Sequence, residues 1–227
     1  MKSTAGTVPG AAIAATPAGP AFVQGAEATV TAVAFLGRAC VVKRRVAKTY
    51  RHASLDDRLR DERTRDEAHL LLRCRQAGVP VPVVYDIDRA AGAITMELVP
   101  GPQLRDVLPG DDDATAAARM HALGTIVARM HAAGVTHGDL TTSNILVPGG
   151  DEASLVVIDF GLGQATHEAE GRGVDLHLVE EALQATEARA EALFAAFLAG
   201  YDGWPGAASA VRRLEAIRLR GRYREAV

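Results

Sequence analysis

The sequence predicts an α+β fold with a small β-rich N-terminal lobe and a reduced helical C-terminal lobe. Runs of β-branched and apolar residues fill much of residues 21–99, whereas helical periodicity dominates residues 100–227. We place the boundary at Pro100-Gly101, where a strand pattern meets a pair of residues that breaks regular structure. The length of 227 residues is enough for one domain with a sizeable core or for two small lobes.

The composition is ordinary for a globular protein, and the net charge of −3 gives no overall basic surface. Cys40 and Cys74 stand far apart and in no metal-ligand spacing, which indicates a reducing compartment. No apolar run approaches the length of a membrane span, so we expect no membrane association. Residues 1–20 are rich in alanine, glycine, threonine and proline and are predicted to form a disordered tail.

The first structured element is a predicted β-hairpin over residues 28–43 that turns at Gly37. The segment before it is either a plain turn or a loop over nucleotide phosphates, with one glycine where such loops have three. Its residues are Gln24, Gly25, Ala26, Glu27 and Ala28. Lys43 ends the second strand, where its ammonium either is solvated or reaches the α- and β-phosphates of a nucleotide.

A long helix is predicted over residues 54–77, with Ser54 as its N-cap and Gly78 after its end. Most of its charged side chains are expected to form a solvated face. Glu67, in the middle of the helix, is the candidate partner of Lys43, and Glu62 is the competing candidate.

Residues 81–88 and 93–99 predict two further strands. The second strand runs into Pro100 and is either a plain edge strand or a linker whose backbone binds adenine. In the second case, three of its residues are candidate nucleotide contacts: Met96, Glu97 and Val99.

The strongest functional signal lies in the C-terminal half. Asp139 ends a His-Gly-Asp motif, Asn144 follows five residues later, and Asp159 leads an Ile-Asp-Phe-Gly turn. Residues 145–147 and 155–158 predict two short strands that hold Asn144 and Asp159 on opposite sides of one cleft. Each motif alone is weak, because an ordinary loop or type II turn accounts for it. In this order and spacing they predict phosphoryl transfer, with one base and two oxygen ligands for magnesium.

Helices are predicted over residues 114–133, 174–183, 187–201 and 207–219. Asp175 either caps the second of these helices or accepts hydrogen bonds from the backbone around Asp139. The chain ends in an arginine cluster that is either a solvated tail or a phosphate or RNA contact. Its members are Arg212, Arg213, Arg218, Arg220, Arg222 and Arg224.

Together these segments resemble the small atypical serine/threonine kinase subunit of the KEOPS (EKC) complex, the PRPK family, which is similar to the RIO kinases. The resemblance covers residues 22–224. It is most specific at Lys48-Thr-Tyr-Arg-His52 and at Arg218-Leu-Arg-Gly-Arg222, and it includes the His-Gly-Asp-Leu-Thr-Thr-Ser-Asn run that ends at Asn144.

The resemblance implies a bilobal protein-kinase-like fold with ATP and Mg²⁺ in the cleft, in a cytoplasmic protein that is also nuclear if eukaryotic. It implies a complex that makes threonylcarbamoyladenosine in tRNA, in which this subunit binds the catalytic subunit and acts largely as an ATPase. In eukaryotes it also implies serine phosphorylation. The implied roles are Lys43 and Glu67 as the phosphate-anchoring ion pair, Asp139 as base, and Asn144 and Asp159 as metal ligands. For the terminal arginines we predict contact with tRNA or a role in partner-dependent activity, and the candidates are Arg218, Arg220 and Arg222.

Three departures from ordinary protein kinases bear on activity. Gly138 replaces the arginine of His-Arg-Asp, Thr141 stands where a lysine is usual, and no Ala-Pro-Glu motif follows Gly161. We therefore expect slow protein phosphorylation, with water or a group presented by a partner as the acceptor.

Two other functions remain open. A small-molecule phosphotransferase of the aminoglycoside or choline type shares the His-Gly-Asp motif, although the Phe160-Gly161 pair and the short C-terminal lobe argue against it. A non-catalytic nucleotide-binding scaffold is the other, and the presence of a complete set of phosphoryl-transfer side chains argues against that.

Overall fold

The computed structural model describes residues 21–24, 28–48, 50, 52–150 and 154–225. The predicted tail of residues 1–20 lies outside the described residues, as do three members of the predicted phosphate loop, Gly25, Ala26 and Glu27. Among the described residues, no helix combines the length and the apolar character needed to cross a membrane.

The N-terminal part is built on a five-stranded antiparallel sheet in the order β1-β2-β3-β5-β4. The strands are β1 (Ala21–Gln24), β2 (Ala28–Phe35), β3 (Arg38–Arg45), β4 (Val84–Asp88) and β5 (Ala93–Glu97). Leu36 and Gly37 form the β2–β3 turn with φ of 49° and 75°, the left-handed conformation that a tight hairpin requires at both positions. The predicted hairpin is therefore present, and it places Lys43 on the central strand β3, opposite Ile94 of β5.

Helix α1 (Ala53–Gln76) packs against the sheet and also reaches the helical part of the molecule. Ala68 contacts Ile94 and Met96 of β5, whereas Leu70 and Cys74 belong to the main hydrophobic core. This double contact fixes the height of α1 over the sheet and so the position of the residues at its middle.

The predicted N-cap of α1 is wrong. The helix begins at Ala53, its N-cap position is His52, and no side chain caps it. The hydroxyl of Ser54 instead lies 3.0 Å from Nδ1 of the His52 ring. A serine followed by a helical pattern predicted the start of the helix to within about two residues, the usual uncertainty of such boundaries.

In the described residues after 100, the main elements are five α-helices and two short strand pairs. The helices are α2 (Leu104–Val107), α3 (Asp113–Ala132), α4 (Ala169–Thr186), α5 (Ala190–Tyr201) and α6 (Ala207–Glu225). The strand pairs are β6 (Val135–Thr136) with β9 (Gln164–Ala165), and β7 (Ile145–Leu146) with β8 (Val156–Val157). Helices α3 to α6 enclose the main core, in which Met120, Leu176 and Phe197 are fully buried.

Helix α4 starts five residues before the predicted start of that helix, and two glycines explain the difference. Gly171 and Gly173 suggest a loop in the sequence, since glycine is unfavourable in a helix. At Gly173, however, a Cβ would lie 2.7 Å from Cγ of Arg213 on α6, so the absence of a side chain allows the two helices to approach closely. A glycine also allows α3 and α5 to approach closely, because a Cβ on Gly200 would overlap the carbonyl oxygen of His121.

Candidate active site

Strand β3 and helix α1 bring Lys43 and Glu67 together. The Nζ atom of Lys43 lies 2.6 Å from Oε1 of Glu67, and the two residues are only 9% and 2% exposed. The competing candidate, Glu62, accepts a hydrogen bond of 2.9 Å from Arg58 on the solvated side of α1. Glu67 is thus the carboxylate that faces the sheet.

Lys43 also reaches across to the Ile-Asp-Phe-Gly turn. Its Nζ atom lies 2.6 Å from Oδ1 of Asp159, which also accepts a hydrogen bond of 3.2 Å from the backbone N–H of Gly161. The backbone of Asp159 has φ of 64°, a left-handed conformation that is uncommon for residues other than glycine but accessible to aspartate. Such conformations concentrate at functional sites, where the surrounding structure holds them in place.

The charges of these groups determine their protonation. Burial alone would lower the pKa of Lys43, but the charges of Glu67 and Asp159 and their hydrogen bonds outweigh it and raise that pKa. Burial alone would raise the pKa of Asp159, but the charge and hydrogen bond of Lys43 lower it overall. The pair's contribution to folding stability is therefore lost only as the pH falls through the lowered pKa of Asp159 or rises through the raised pKa of Lys43. Both groups stay charged across neutral pH.

Asp139 lies in a loop that follows β6, next to Gly138 with φ of 78°. The amide nitrogen of Asn144 donates to the carbonyl oxygen of Asp139 at 2.8 Å and to its carboxylate Oδ2 at 3.0 Å. These two bonds fix the carboxylate against its own loop. They also engage the nitrogen of the Asn144 side chain, so the amide oxygen is the atom that can bind a metal.

The β7–β8 pair joins this loop to the Ile-Asp-Phe-Gly turn. Ile145 pairs with Val157, and the N–H of Ile158 donates to the carbonyl oxygen of Asn144 at 2.9 Å. Asn144 and Asp159 therefore leave the strand pair at the same end. The two candidate metal ligands, although fifteen positions apart in the sequence, are held by one small piece of sheet.

Asp175 binds the backbone of the loop that carries Asp139, and this contact decides between the two roles predicted for it. It is fully buried inside α4, and its carboxylate accepts hydrogen bonds from the backbone N–H groups of His137 at 2.7 Å and Gly138 at 2.8 Å. The ring of His131 donates a third bond of 3.0 Å from Nε2, and Tyr201 lies 2.7 Å from Nδ1 of that ring. Asp175 thus anchors the residues that precede Asp139, and it does not cap its helix.

His137 connects the loop to the second strand of the pair. The N–H of Asp139 donates to Nδ1 of its ring at 3.2 Å, so the ring carries its proton on Nε2 and donates it to the carbonyl oxygen of Ile158 at 2.9 Å. The ring also packs against Phe160, with ring centroids 4.8 Å apart. Together these contacts fix the distance between the Asp139 loop and the Asp159 turn.

Arg45 is the member of the site that the sequence analysis missed. It follows Lys43 by two residues on β3 and places a guanidinium nitrogen 2.6 Å from Oε2 of Glu67. The alternation of strand side chains was the available signal, because residues two apart point to the same face of a sheet.

The predicted nucleotide contacts comprise two described residues of the candidate phosphate loop and three residues of the candidate adenine-binding linker. Gln24 pairs with Thr29 at the end of β1, and Ala28 begins β2. Met96 is 8% exposed and packs in the small cluster under α1, while the carboxylate of Glu97 accepts a hydrogen bond of 3.1 Å from the N–H of Val83. Val99 follows β5 and is half-buried. Their roles in nucleotide binding stay predictions.

The C-terminal arginines have partners within the molecule. Arg218 makes two bonds to Glu180 of α4, of 2.8 and 2.5 Å, and Arg220 lies 3.3 Å from Glu170. Arg213 also pairs with Glu170. The side chain of Arg222 lies outside the described part of the chain. These ion pairs hold α6 on α4, and a contact of this region with tRNA stays a prediction.

Comparison with solved structures shows which fold the chain has. The chain superposes on the kinase WaaP, solved in complex with acyl carrier protein, with a TM-score of 0.64 at 20% identity, covering 92% of this chain and 87% of that one. It superposes on the Rio2 kinase of Chaetomium thermophilum with a TM-score of 0.60 at 18% identity, covering 92% and 72%. At these identities the likeness concerns the fold alone. The predicted α+β, kinase-like fold is confirmed.

Sequence relatives then give the family. The lipopolysaccharide kinase (Kdo/WaaP) family matches residues 24–201. An EKC/KEOPS complex subunit of Schizosaccharomyces pombe is 37% identical over 88% of this chain and 87% of its own length, and one of Mus musculus is 40% identical over 91% and 87%. The chain therefore belongs to the Kdo/WaaP kinase family. It also belongs to the kinase-like EKC/KEOPS subunits, as the resemblance predicted.

A third relative is longer than this chain. A "Probable bifunctional tRNA threonylcarbamoyladenosine biosynthesis protein" of Methanoculleus marisnigri is 42% identical over 96% of this chain, which spans 38% of that protein. The matched region is thus one part of a larger archaeal polypeptide.

Proposed function

We propose that the protein is an ATP- and Mg²⁺-dependent kinase or ATPase subunit of an EKC/KEOPS complex that supports threonylcarbamoyladenosine formation in tRNA. The observation that carries the proposal is Lys43, which lies 2.6 Å from both Glu67 and Asp159 and so joins the sheet, α1 and the Ile-Asp-Phe-Gly turn. An ammonium in this position suits the α- and β-phosphates of a nucleotide. The names of the relatives support the complex and the modified tRNA as the setting.

The donor set of the cleft fits magnesium. Asn144 would bind it through the amide oxygen and Asp159 through the carboxylate, the hard oxygen donors that Mg²⁺ prefers. The carboxylate of Asp159 already binds one cation in this structure, because the ammonium of Lys43 lies 2.6 Å from its Oδ1 atom. Bound Mg²⁺ would supply positive charge against the β- and γ-phosphate oxygens. The Rio2 kinase, which has a similar fold, was solved with ADP and Mg²⁺, and this supports the same ligands here.

Within this chain, Asp139 is the proposed base. Its carboxylate would accept the proton of the attacking hydroxyl or water, while Asn144 and Asp175 hold its loop in position. Gly138 and Thr141 replace the residues with which protein kinases engage an activation loop and the γ-phosphate. Hydrolysis, or transfer to a serine presented by a partner, therefore fits the site better than rapid phosphorylation of free protein substrates. We propose a cytoplasmic location, and a nuclear one as well in a eukaryote.

ATP turnover tests the proposal. We expect the purified chain to hydrolyse ATP only with Mg²⁺, and faster when the threonylcarbamoyl-transferring subunit and tRNA are added. Lys43→Met should abolish the signal and so exclude a contaminating ATPase. Turnover that is equal in Lys43→Met and wild type, or no turnover with any partner, would refute an enzymatic role.

The C-terminal arginines give a second test, because their environments differ. The Arg220 side chain is 59% exposed and its bond to Glu170 is 3.3 Å long, whereas Arg218 is bound tightly to Glu180. If the tail contacts tRNA phosphates, Arg220→Ala should weaken tRNA binding and lower the slope of log Kd against log salt by about one. Arg218→Ala should act on stability instead. A deletion of residues 218–227 that leaves both tRNA affinity and salt slope unchanged would exclude the contact.

A further inference from the structure

The buried carboxylate of Glu67 is shared by two cations. Lys43 binds Oε1 and Arg45 binds Oε2, each at 2.6 Å, and Arg45 and Glu67 are 6% and 2% exposed. Arg45 is also anchored to α1 by a longer contact of 3.4 Å with the carbonyl oxygen of Arg63. Lys43 alone would complete an ion pair with Glu67. Arg45 therefore contributes a second positive charge to this buried group.

The charges show what Arg45 adds. Lys43 and Arg45 carry two positive charges and Glu67 carries one negative charge, which leaves the buried group with one net positive charge. In this structure Asp159 compensates for it through its bond of 2.6 Å to Lys43. If Asp159 turns to a metal, the positive charge becomes available to a phosphate, and interactions of this kind are strong where water is excluded.

Arg45 also borders the turn that carries Asp159. The position that a Cβ would take on Gly161 lies 3.6 Å from a terminal nitrogen of Arg45 and 3.5 Å from Nζ of Lys43. The Nε atom of Arg45 is buried and has no hydrogen-bond partner among the described residues. A buried donor without a partner is unfavourable for folding, which is tolerated where a residue serves a site.

We propose that Arg45 is a positioning residue that holds Glu67 and keeps one positive charge in the cleft for the phosphates of the nucleotide. This inference rests on the proposed function, since it requires the cleft to bind MgATP. It predicts that Arg45 sets the affinity for the triphosphate and has little effect on the affinity for the nucleoside.

Calorimetric titration of each variant with MgATP and, separately, with adenosine tests this prediction. Arg45→Met keeps the aliphatic volume and removes the charge, and it should raise the Kd for MgATP by about tenfold, the effect of losing one charged hydrogen bond. The Kd for adenosine should change by less than about twofold. Arg45→Lys should restore most of the MgATP affinity. Arg44→Met is the matched control, because Arg44 is the exposed neighbour on the same strand.

The outcomes separate this inference from the proposed function. If the wild type does not bind MgATP, the proposed function fails and Arg45 has no nucleotide role. If the wild type binds and Arg45→Met weakens MgATP and adenosine equally, or weakens neither, the inference is overturned. If Arg45→Met does not fold, Arg45→Gln takes its place, since it can still donate to Glu67 without a charge. Equal MgATP affinity of Arg45→Gln and wild type would then overturn the charge role.

Discussion

An Asp139→Ala variant is expected to turn over ATP about 10²–10⁴-fold more slowly than the wild type and still to bind MgATP. The loss corresponds to a barrier raised by about 3–5 kcal/mol. The physical reason is that Asp139 is held by Asn144 at 3.0 Å in a loop anchored on Asp175, so its carboxylate has one fixed orientation toward the cleft. Lys43 and Asp159, which are proposed to bind the phosphates and the metal, lie on other segments, and Asn144 keeps its bond to the backbone carbonyl of residue 139. Binding should therefore survive.

Single-turnover and steady-state assays, combined with a MgATP titration, measure the two effects separately. Asp202→Ala is a suitable control, because Asp202 is an exposed aspartate after α5. Hydrolysis at the wild-type rate by Asp139→Ala would exclude this carboxylate as the base. A parallel loss of MgATP binding would instead assign Asp139 to nucleotide binding.

An Asp175→Ala variant is expected to lose about 3–5 kcal/mol of unfolding free energy, because it leaves buried donors without an acceptor. Asp175 is fully buried, and its carboxylate accepts hydrogen bonds from the backbone N–H groups of His137 and Gly138 and from the ring of His131. A loss of this size is a large fraction of the stability of an ordinary domain, and the variant should lose activity as well.

Urea denaturation followed by circular dichroism measures this loss. The unfolding free energy of Asp175→Asn should lie between those of Asp175→Ala and the wild type, since the amide oxygen of asparagine replaces one acceptor. The exposed control Asp202→Ala should change stability by less than about 0.5 kcal/mol. If Asp175→Ala were as stable as that control, the anchoring of the loop by this carboxylate would be wrong.

Residues close together in the sequence could be related without the structure. The spacing of Asp139 and Asn144 within one loop, and the short strands that lead to Asp159, follow from local patterns because a few residues of backbone fix them. The structure shows that pairing of Ile145 with Val157. Helix α1 was predicted for the same reason, since its periodic pattern is long.

Relations across the fold could not be obtained in this way. Lys43 and Asp159 are separated by 116 positions, and only the approach of β3 to the Ile-Asp-Phe-Gly turn joins them. Arg45 was not singled out in the sequence, because its partner Glu67 lies 22 positions away. The sequence left the terminal arginines open between a solvated tail and a phosphate or RNA contact, and only the packing of α6 on α4 shows the ion pairs of Arg218 and Arg220. The start of α4 was misjudged because Gly173 is unfavourable for a helix in isolation and is required by the close approach of Arg213.

The sequence by itself determined the kinase-like fold, the family and the identity of the charged side chains, because these depend on residue type and local spacing. The resemblance already implied the pair of Lys43 and Glu67. The tertiary structure alone decided the other contacts: Lys43 with Asp159, Arg45 with the second oxygen of Glu67, and Asp175 with the backbone just before Asp139. Ion pairs and buried hydrogen bonds depend on distances of a few ångströms between distant segments, and only the packing of β3, α1 and α4 sets those distances.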